Sequence, residues 1–184
     1  MSSNMKRLTV PCKKELLEEL KAGDEVLLTG TIYSARDQAH KRLFNLYKKK
    51  TPLPLTLKDQ WIYYMGPSPA RPNEIIGSCG PTTAARMDTY TPFILETLGV
   101  CGIIGKGERQ PEVTESIMRS GAAYFYAFGG CGALYNSRIH RVDTEAFPEL
   151  GPEAIYRLEI KDFPVVTAIA PTGDSVFARV RPSP

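Results

Sequence analysis

Cys101-Gly102-Ile103-Ile104-Gly105-Lys106-Gly107 is the stretch on which the fold turns. A compact apolar run closed by Gly-Lys-Gly reads as a short buried strand that delivers a glycine loop, and Pro111 then opens a helix to about Ser120. The same order appears earlier in the chain. Glu25 to Tyr33 is rich in valine, leucine, isoleucine and threonine and reads as a strand, with Gly30 marking a bulge or a close backbone contact. Ala35 to Lys50 follows as a helix capped by Ser34, with Ala39, Leu43, Leu46 and Tyr47 on its buried stripe and Lys48-Lys49-Lys50 at its negative end. Alternating strands and helices argue an α/β fold, with antiparallel or mixed pairing toward the C-terminus.

Outward from these units the punctuation is clear. Lys6 to Val10 reads as a strand, and Lys13 to Leu20 as a helix with Leu16, Leu17 and Leu20 inward, closed by Gly23. Pro52 and Pro54 make Thr51 to Leu57 an extended surface passage. Trp61 to Met65 and Ile75 to Cys79 read as strands, the second one buried. Thr91-Pro92 looks like the N-cap and first position of a helix through Leu98. Ala122 to Phe128 is an aromatic strand followed by a flexible corner, Gly129-Gly130-Cys131-Gly132. Ile139 to Val142, Ala154 to Ile160 and Val165 to Ala170 complete the strands, and Thr172-Gly173-Asp174 is a turn.

The chain of 184 residues, 42% apolar and 23% charged, fits one domain over residues 1–184 with an ordinary core. A formal charge of +3 is too small to imply a nucleic-acid or membrane partner, though it suits anionic small molecules. The polar start from Met1 to Arg7 lacks the apolar stretch of a secretory signal, and no run reaches the length of a membrane span. A cytoplasmic protein is expected. The four cysteines, Cys12, Cys79, Cys101 and Cys131, form no C-x-x-C pair and are expected to be free thiols. With His40 and His140 the only histidines, a self-contained metal site is not expected. His40 reads as structural and His140 as an ordinary strand residue.

The chemistry concentrates at Gly77-Ser78-Cys79-Gly80-Pro81-Thr82-Thr83-Ala84-Ala85-Arg86-Met87-Asp88. Pro81 is expected to open a helix whose first turn, carrying Thr82 and Thr83, favours anions. Arg86 stands four residues after Thr82, the spacing that places a hydroxyl and a guanidinium on one helical face. The same residues also read as a capped helix start with a surface arginine. Arg36, Arg86 and Lys106 each follow a strand or open a helix, where α/β sheets hold ligands. If they converge, the pocket suits a dicarboxylate. Asp37 is expected to cap or pair with Arg36, and Asp88 to be structural.

Three ordered blocks carry a resemblance: Thr31-Ile32-Tyr33-Ser34-Ala35-Arg36-Asp37-Gln38-Ala39-His40-Lys41-Arg42, then Gly80 to Asp88, then Ile104-Gly105-Lys106-Gly107. Together they resemble the class I fumarase beta subunit, which corresponds to the C-terminal domain of fused class I fumarases, and the L(+)-tartrate dehydratase beta subunit. Ala85 departs from the glycine more usual there. The resemblance implies a swivelling β/β/α domain, a mixed sheet with flanking helices, that covers an active site shared with an alpha subunit. It implies that the alpha subunit holds a [4Fe–4S] cluster, that none is bound by this chain, and that two alpha and two beta chains assemble. It also implies substrate contacts from Arg36, Gly80, Thr83, Arg86 and Lys106, with Thr82 near the proton-transfer step. The expected reaction is the interconversion of fumarate and L-malate, with tartrate dehydration as the close alternative. A dicarboxylate-binding module without catalysis is the alternative of a different class.

Overall fold

The computed structural model describes residues 5–72 and 74–178, so the polar start read over Met1 to Arg7 lies outside the described residues as far as Asn4. Among the described residues seven strands form a mixed sheet: β1 (Lys6–Val10), β2 (Glu25–Ser34), β3 (Trp61–Tyr63), β4 (Gly102–Gly105), β5 (Ala123–Tyr126), β6 (Ile139–Ala146) and β7 (Ile155–Ile169). β1 to β5 pair in chain order and all in parallel. β7 runs antiparallel to β5 and β6 and also along β2. Because β7 joins both β5 and β2, the strands β2-β3-β4-β5-β7 close on themselves as a barrel, with β1 and β6 as flanking strands.

The alternation of side chains along each strand divides the core in two. Val26, Leu28, Ile32, Trp61, Tyr63, Ile104, Phe125, Leu158 and Phe163 form one buried cluster, that of the barrel interior. Their neighbours Ile62, Ile103 and Tyr124 belong to the other. Helix α1 (Asp37–Lys48) covers these with Ala39 and Leu43, and α2 (Pro111–Ser120) with Val113 and Ile117. Burial on both faces explains why Ile103-Ile104 reads as a continuous apolar run. A short α3 (Gly132–Ser137) follows β5.

Gly30 makes the expected close contact. Its φ is +131°, and a Cβ there would stand 1.9 Å from the Val10 carbonyl oxygen, where β1 meets β2. The β2–β7 register also shifts between Leu28 and Gly30, so only glycine fits.

Several expectations are corrected. Lys13 to Leu20 holds only a 3-10 turn at Lys14–Leu16, and Leu16 is 51% exposed, although Leu17 and Leu20 are buried. Ser34 ends β2 rather than capping α1; its Oγ accepts from the Tyr156 N–H at 3.3 Å, and Arg36 takes the cap position. Tyr47 is exposed and lies against Phe93 instead of joining the buried stripe. Ile75 to Cys79 is not a strand: Ile75 is exposed, and only Ile76, Gly77 and Cys79 are buried. The helix after Pro92 takes π geometry at Phe93–Thr97. The glycine corner ends in α3, and the two C-terminal strands are one long β7. No helix of the described residues is long and apolar enough to cross a membrane.

Candidate active site

Strands β2 to β5 end at one pole. Ser34 pairs with Tyr63, Tyr63 with Ile104 and Ile104 with Phe125, so the residues just beyond this row share the strand-end surface. Arg36 lies two residues past Ser34 and Lys106 one past Gly105. β3 and β4 part after Tyr64, whose N–H donates to the Ile104 carbonyl at 2.8 Å. Pro81 to Ala84 enters the gap as an extended segment. Pro81 bridges Met65 and Thr83 bridges Lys106. The Thr82 N–H donates to the Tyr64 carbonyl at 2.7 Å, the Lys106 N–H to the Thr82 carbonyl at 3.3 Å, and the Ala84 N–H to the Lys106 carbonyl at 2.8 Å.

This corrects the helix expected from Pro81. Only a 3-10 turn forms, at Ala84–Met87, so Thr82 and Thr83 precede it in extended backbone and do not sit in a helix's first turn. In extended backbone successive side chains leave on opposite faces, which separates the two hydroxyls. Thr82 is half-buried and Thr83 exposed. What fixes both beside Lys106 is strand insertion.

The three cations reach this pole by different routes. Arg86, on the 3-10 turn, places Nε 3.0 Å from Asp37 Oδ1 and Nη2 3.0 Å from Asp37 Oδ2. Arg36 places Nη2 2.9 Å from Glu153 Oε1, while its Nε lies 3.6 Å from Asp37 Oδ2. Asp37 therefore pairs chiefly with Arg86, not with the adjacent Arg36. The Lys106 ammonium has no ion-pair or hydrogen-bond partner among the described residues, and the side chain runs along Gly129, where a Cβ would stand 4.0 Å from Nζ. Arg36 and Arg86 meet around one carboxylate, and Lys106 stands two strands away, on the order of 10 Å at ordinary strand spacing.

Gly80 differs from the other glycines of its loop. Gly77 is required by a close contact, because a Cβ would meet the Ser68 carbonyl oxygen at 2.1 Å, while at Gly132 a Cβ would meet the Ser78 hydroxyl, a side-chain end that can turn away. At Gly80 the nearest atom is the Gly132 Cα at 3.9 Å, and its φ is not positive. The fold of this chain does not demand a glycine there.

Two buried polar residues brace the pole from below. His40 is fully buried, with Nδ1 2.9 Å from the Arg36 carbonyl oxygen; a carbonyl only accepts, so Nδ1 carries the proton. Burial holds the imidazole pKa down at about 4, so the ring is neutral. Arg109 is buried between the faces of Tyr64 and Tyr124, with Nε 2.7 Å from Asp88 Oδ1 and Nη2 2.7 Å from Thr91 Oγ1. Asp88 also accepts from the Gln110 N–H at 2.8 Å, which makes it structural as expected. Exposed His140 lies on β6. Nothing in the local sequence singled out Arg109 or Glu153, since their partners are distant along the chain.

The cysteines offer no cluster ligands together. All four are free; burial pushes the Cys79 and Cys101 thiols up to about 12, far from the thiolate that iron requires. Among the described residues no group of three or more His, Cys, Asp or Glu side chains could hold a metal ion. The described residues do not fit an iron–sulfur cluster of their own.

Residues 2–180 match the protein family described as Fumarase C-terminus. The chain belongs to that family. Among members of the Fumarase C-terminus family, a Methanocaldococcus jannaschii protein with the provisional name L(+)-tartrate dehydratase subunit beta is 37% identical over 172 residues, covering 91% of this chain and 88% of that protein. The Escherichia coli L(+)-tartrate dehydratase subunit beta is 33% identical over 94% of this chain and 87% of its own length. The anaerobic class I fumarate hydratase of Escherichia coli is 36% identical over 91% of this chain but only 31% of its own length. The chain thus spans less than a third of the fumarate hydratase and nearly all of the two beta subunits.

Proposed function

We propose that this chain is the beta subunit of a hydro-lyase acting on a four-carbon dicarboxylate, interconverting fumarate and L-malate. The observation that carries this is the strand-end pole, where Arg36, Arg86 and Lys106 gather beside two threonines fixed by backbone pairing. Membership of the Fumarase C-terminus family supports it. So does the name of the fumarate hydratase relative. The two beta-subunit relatives that match over nearly their whole length are named for tartrate dehydration, and this favours L-tartrate as the second substrate to test.

In this reading Arg86 and Arg36 take one substrate carboxylate and Lys106 the other, as a fork and a point charge respectively. Removing a proton beside a carboxylate builds negative charge on that carboxylate. Cations already in place stabilise the developing charge without reorganising. Thr82, held against the Tyr64 carbonyl, presents a hydroxyl at the proton-transfer step, and because a hydroxyl is a weak base the group that takes its proton belongs to the partner. Thr83 and the open space at Gly80 border the substrate.

The partner is an alpha subunit, paired as two alpha and two beta chains, and the [4Fe–4S] cluster belongs to it. When bound there, the cluster supplies a Lewis acid for the substrate hydroxyl. This chain then acts as a swivelling cover on the partner's cleft.

The test is anaerobic mixing of this chain with its alpha subunit, followed by turnover of fumarate, L-malate and L-tartrate. The chain alone is expected to be inactive and the mixture active. A mixture inert toward all three acids, with the isolated chain still binding them, would instead favour a dicarboxylate-binding module.

A further inference from the structure

Two of the three cations at the pole meet on one side chain. Asp37 opens α1, and its carboxylate is only 25% exposed. Arg86 is 52% exposed and rides on a single 3-10 turn, so packing alone cannot hold its long side chain in one orientation. The carboxylate does this instead. Oδ1 accepts a hydrogen bond from Arg86 Nε at 3.0 Å, and Oδ2 stands 3.0 Å from Nη2 as an ion-pair contact without hydrogen-bond geometry, so the two contacts together restrain the guanidinium plane. The contact uses one edge of the guanidinium and leaves Nη1 directed away from Asp37.

The surroundings brace the same contact. Arg36 approaches Asp37 Oδ2 with Nε at 3.6 Å and is held from its other end by Glu153 at 2.9 Å. Glu153 Oε2 accepts from the Gln38 N–H at 3.1 Å, one residue beyond Asp37. A single turn of α1 therefore anchors both arginines.

A carboxylate among cations can do two things whose signs are opposite. As an orienting group, its loss frees Arg86 and weakens productive binding. As a simple neutraliser, its loss raises the positive charge and strengthens attraction for an anion. The two-point geometry selects the first.

We propose that Asp37 is the positioning residue of the site, setting the guanidinium plane of Arg86 and with it the direction from which Arg86 meets a substrate carboxylate. The substrate half of this statement rests on the dicarboxylate hydro-lyase reading.

Asp37→Asn keeps the size of the side chain while removing its charge and one acceptor; Asp37→Glu restores the charge. In the chain alone, exchange of the Arg86 Nε–H with water is followed by nitrogen-15 NMR, the signal being assigned by its loss in Arg86→Lys. Weakening the charge-assisted Nε–H···Oδ1 bond and removing the ion-pair contact at Oδ2 should speed this exchange roughly tenfold or more in Asp37→Asn. In the pair reconstituted with the alpha subunit, kcat/KM for fumarate should fall roughly tenfold to a hundredfold, with KM raised, and Asp37→Glu should regain part of the loss. Unchanged Nε–H exchange overturns the proposal, as does an Asp37→Asn pair whose KM falls while kcat is kept. A wild-type pair inert toward fumarate, L-malate and L-tartrate overturns the functional reading and the substrate half with it, and the exchange measurement still decides the Asp37–Arg86 contact.

Discussion

His40 Nδ1 stands 2.9 Å from the carbonyl oxygen of Arg36, so the residue that begins the cationic pole is tied to a ring with no access to water. The ring pKa is pushed down to about 4 by burial, against roughly 6.5 in the unfolded chain. Between those values the unfolded chain takes up a proton that the folded chain refuses. Stability is therefore full above pH 6.5 and declines as pH falls, by about 3 kcal/mol at pH 4 from this group. Urea unfolding of wild type and His40→Gln across this range checks it. The variant should lack that part of the acid loss, and parallel pH curves would rule it out.

Arg109 presents the opposite case, a buried charge held in its ionised form. Its side chain is 0% exposed, paired with Asp88 at 2.7 Å and set 4.8 Å from the centre of the Tyr124 ring. Arg109→Met leaves Asp88 buried without its cation and should cost about 3–5 kcal/mol. Adding Asp88→Asn should recover part of that cost. A thermal midpoint that drops further in the double variant would contradict the pairing.

Gly80→Ala separates structure from function. A Cβ there meets nothing closer than 3.9 Å, so the thermal midpoint should stay close to wild type. If the open space borders the substrate, kcat/KM of the reconstituted pair should fall roughly tenfold or more, since small displacements of reacting groups are costly. Full activity would remove Gly80 from the site.

The parts of the fold legible in the sequence are those where local signals and burial agree. Pro111 and the left-handed Gly121 bracket α2, and Gly30 announces its contact with Val10. Ile75 to Cys79 misleads because apolar content alone does not supply pairing: the Ser78 N–H goes to Ser68 Oγ and the Cys79 N–H to the Gly132 carbonyl, so no ladder forms. Pro81 misleads for a related reason. It suits the first turn of a helix, but the gap between β3 and β4 that receives it is created by tertiary structure. β7 reads as two strands because Lys161-Asp162-Phe163-Pro164 looks like a break; Asp162 does take a positive φ of 49°, yet pairing with β2 continues through Phe163 and Pro164. At the site, Arg36, Arg86 and Lys106 stand out as residue types at strand ends. Glu153 does not, since it bonds to Gln38 across 115 residues.

Lys106 supplies the most direct measurement. Its ammonium has no partner among the described residues, so Lys106→Met should leave the thermal midpoint nearly unchanged. In the pair reconstituted with the alpha subunit, kcat/KM for the acid turned over should drop by roughly a hundredfold, the loss expected when a preorganised cation is removed from developing charge. A Lys106→Met pair with wild-type kcat/KM would contradict the account of the strand-end pole as a dicarboxylate site.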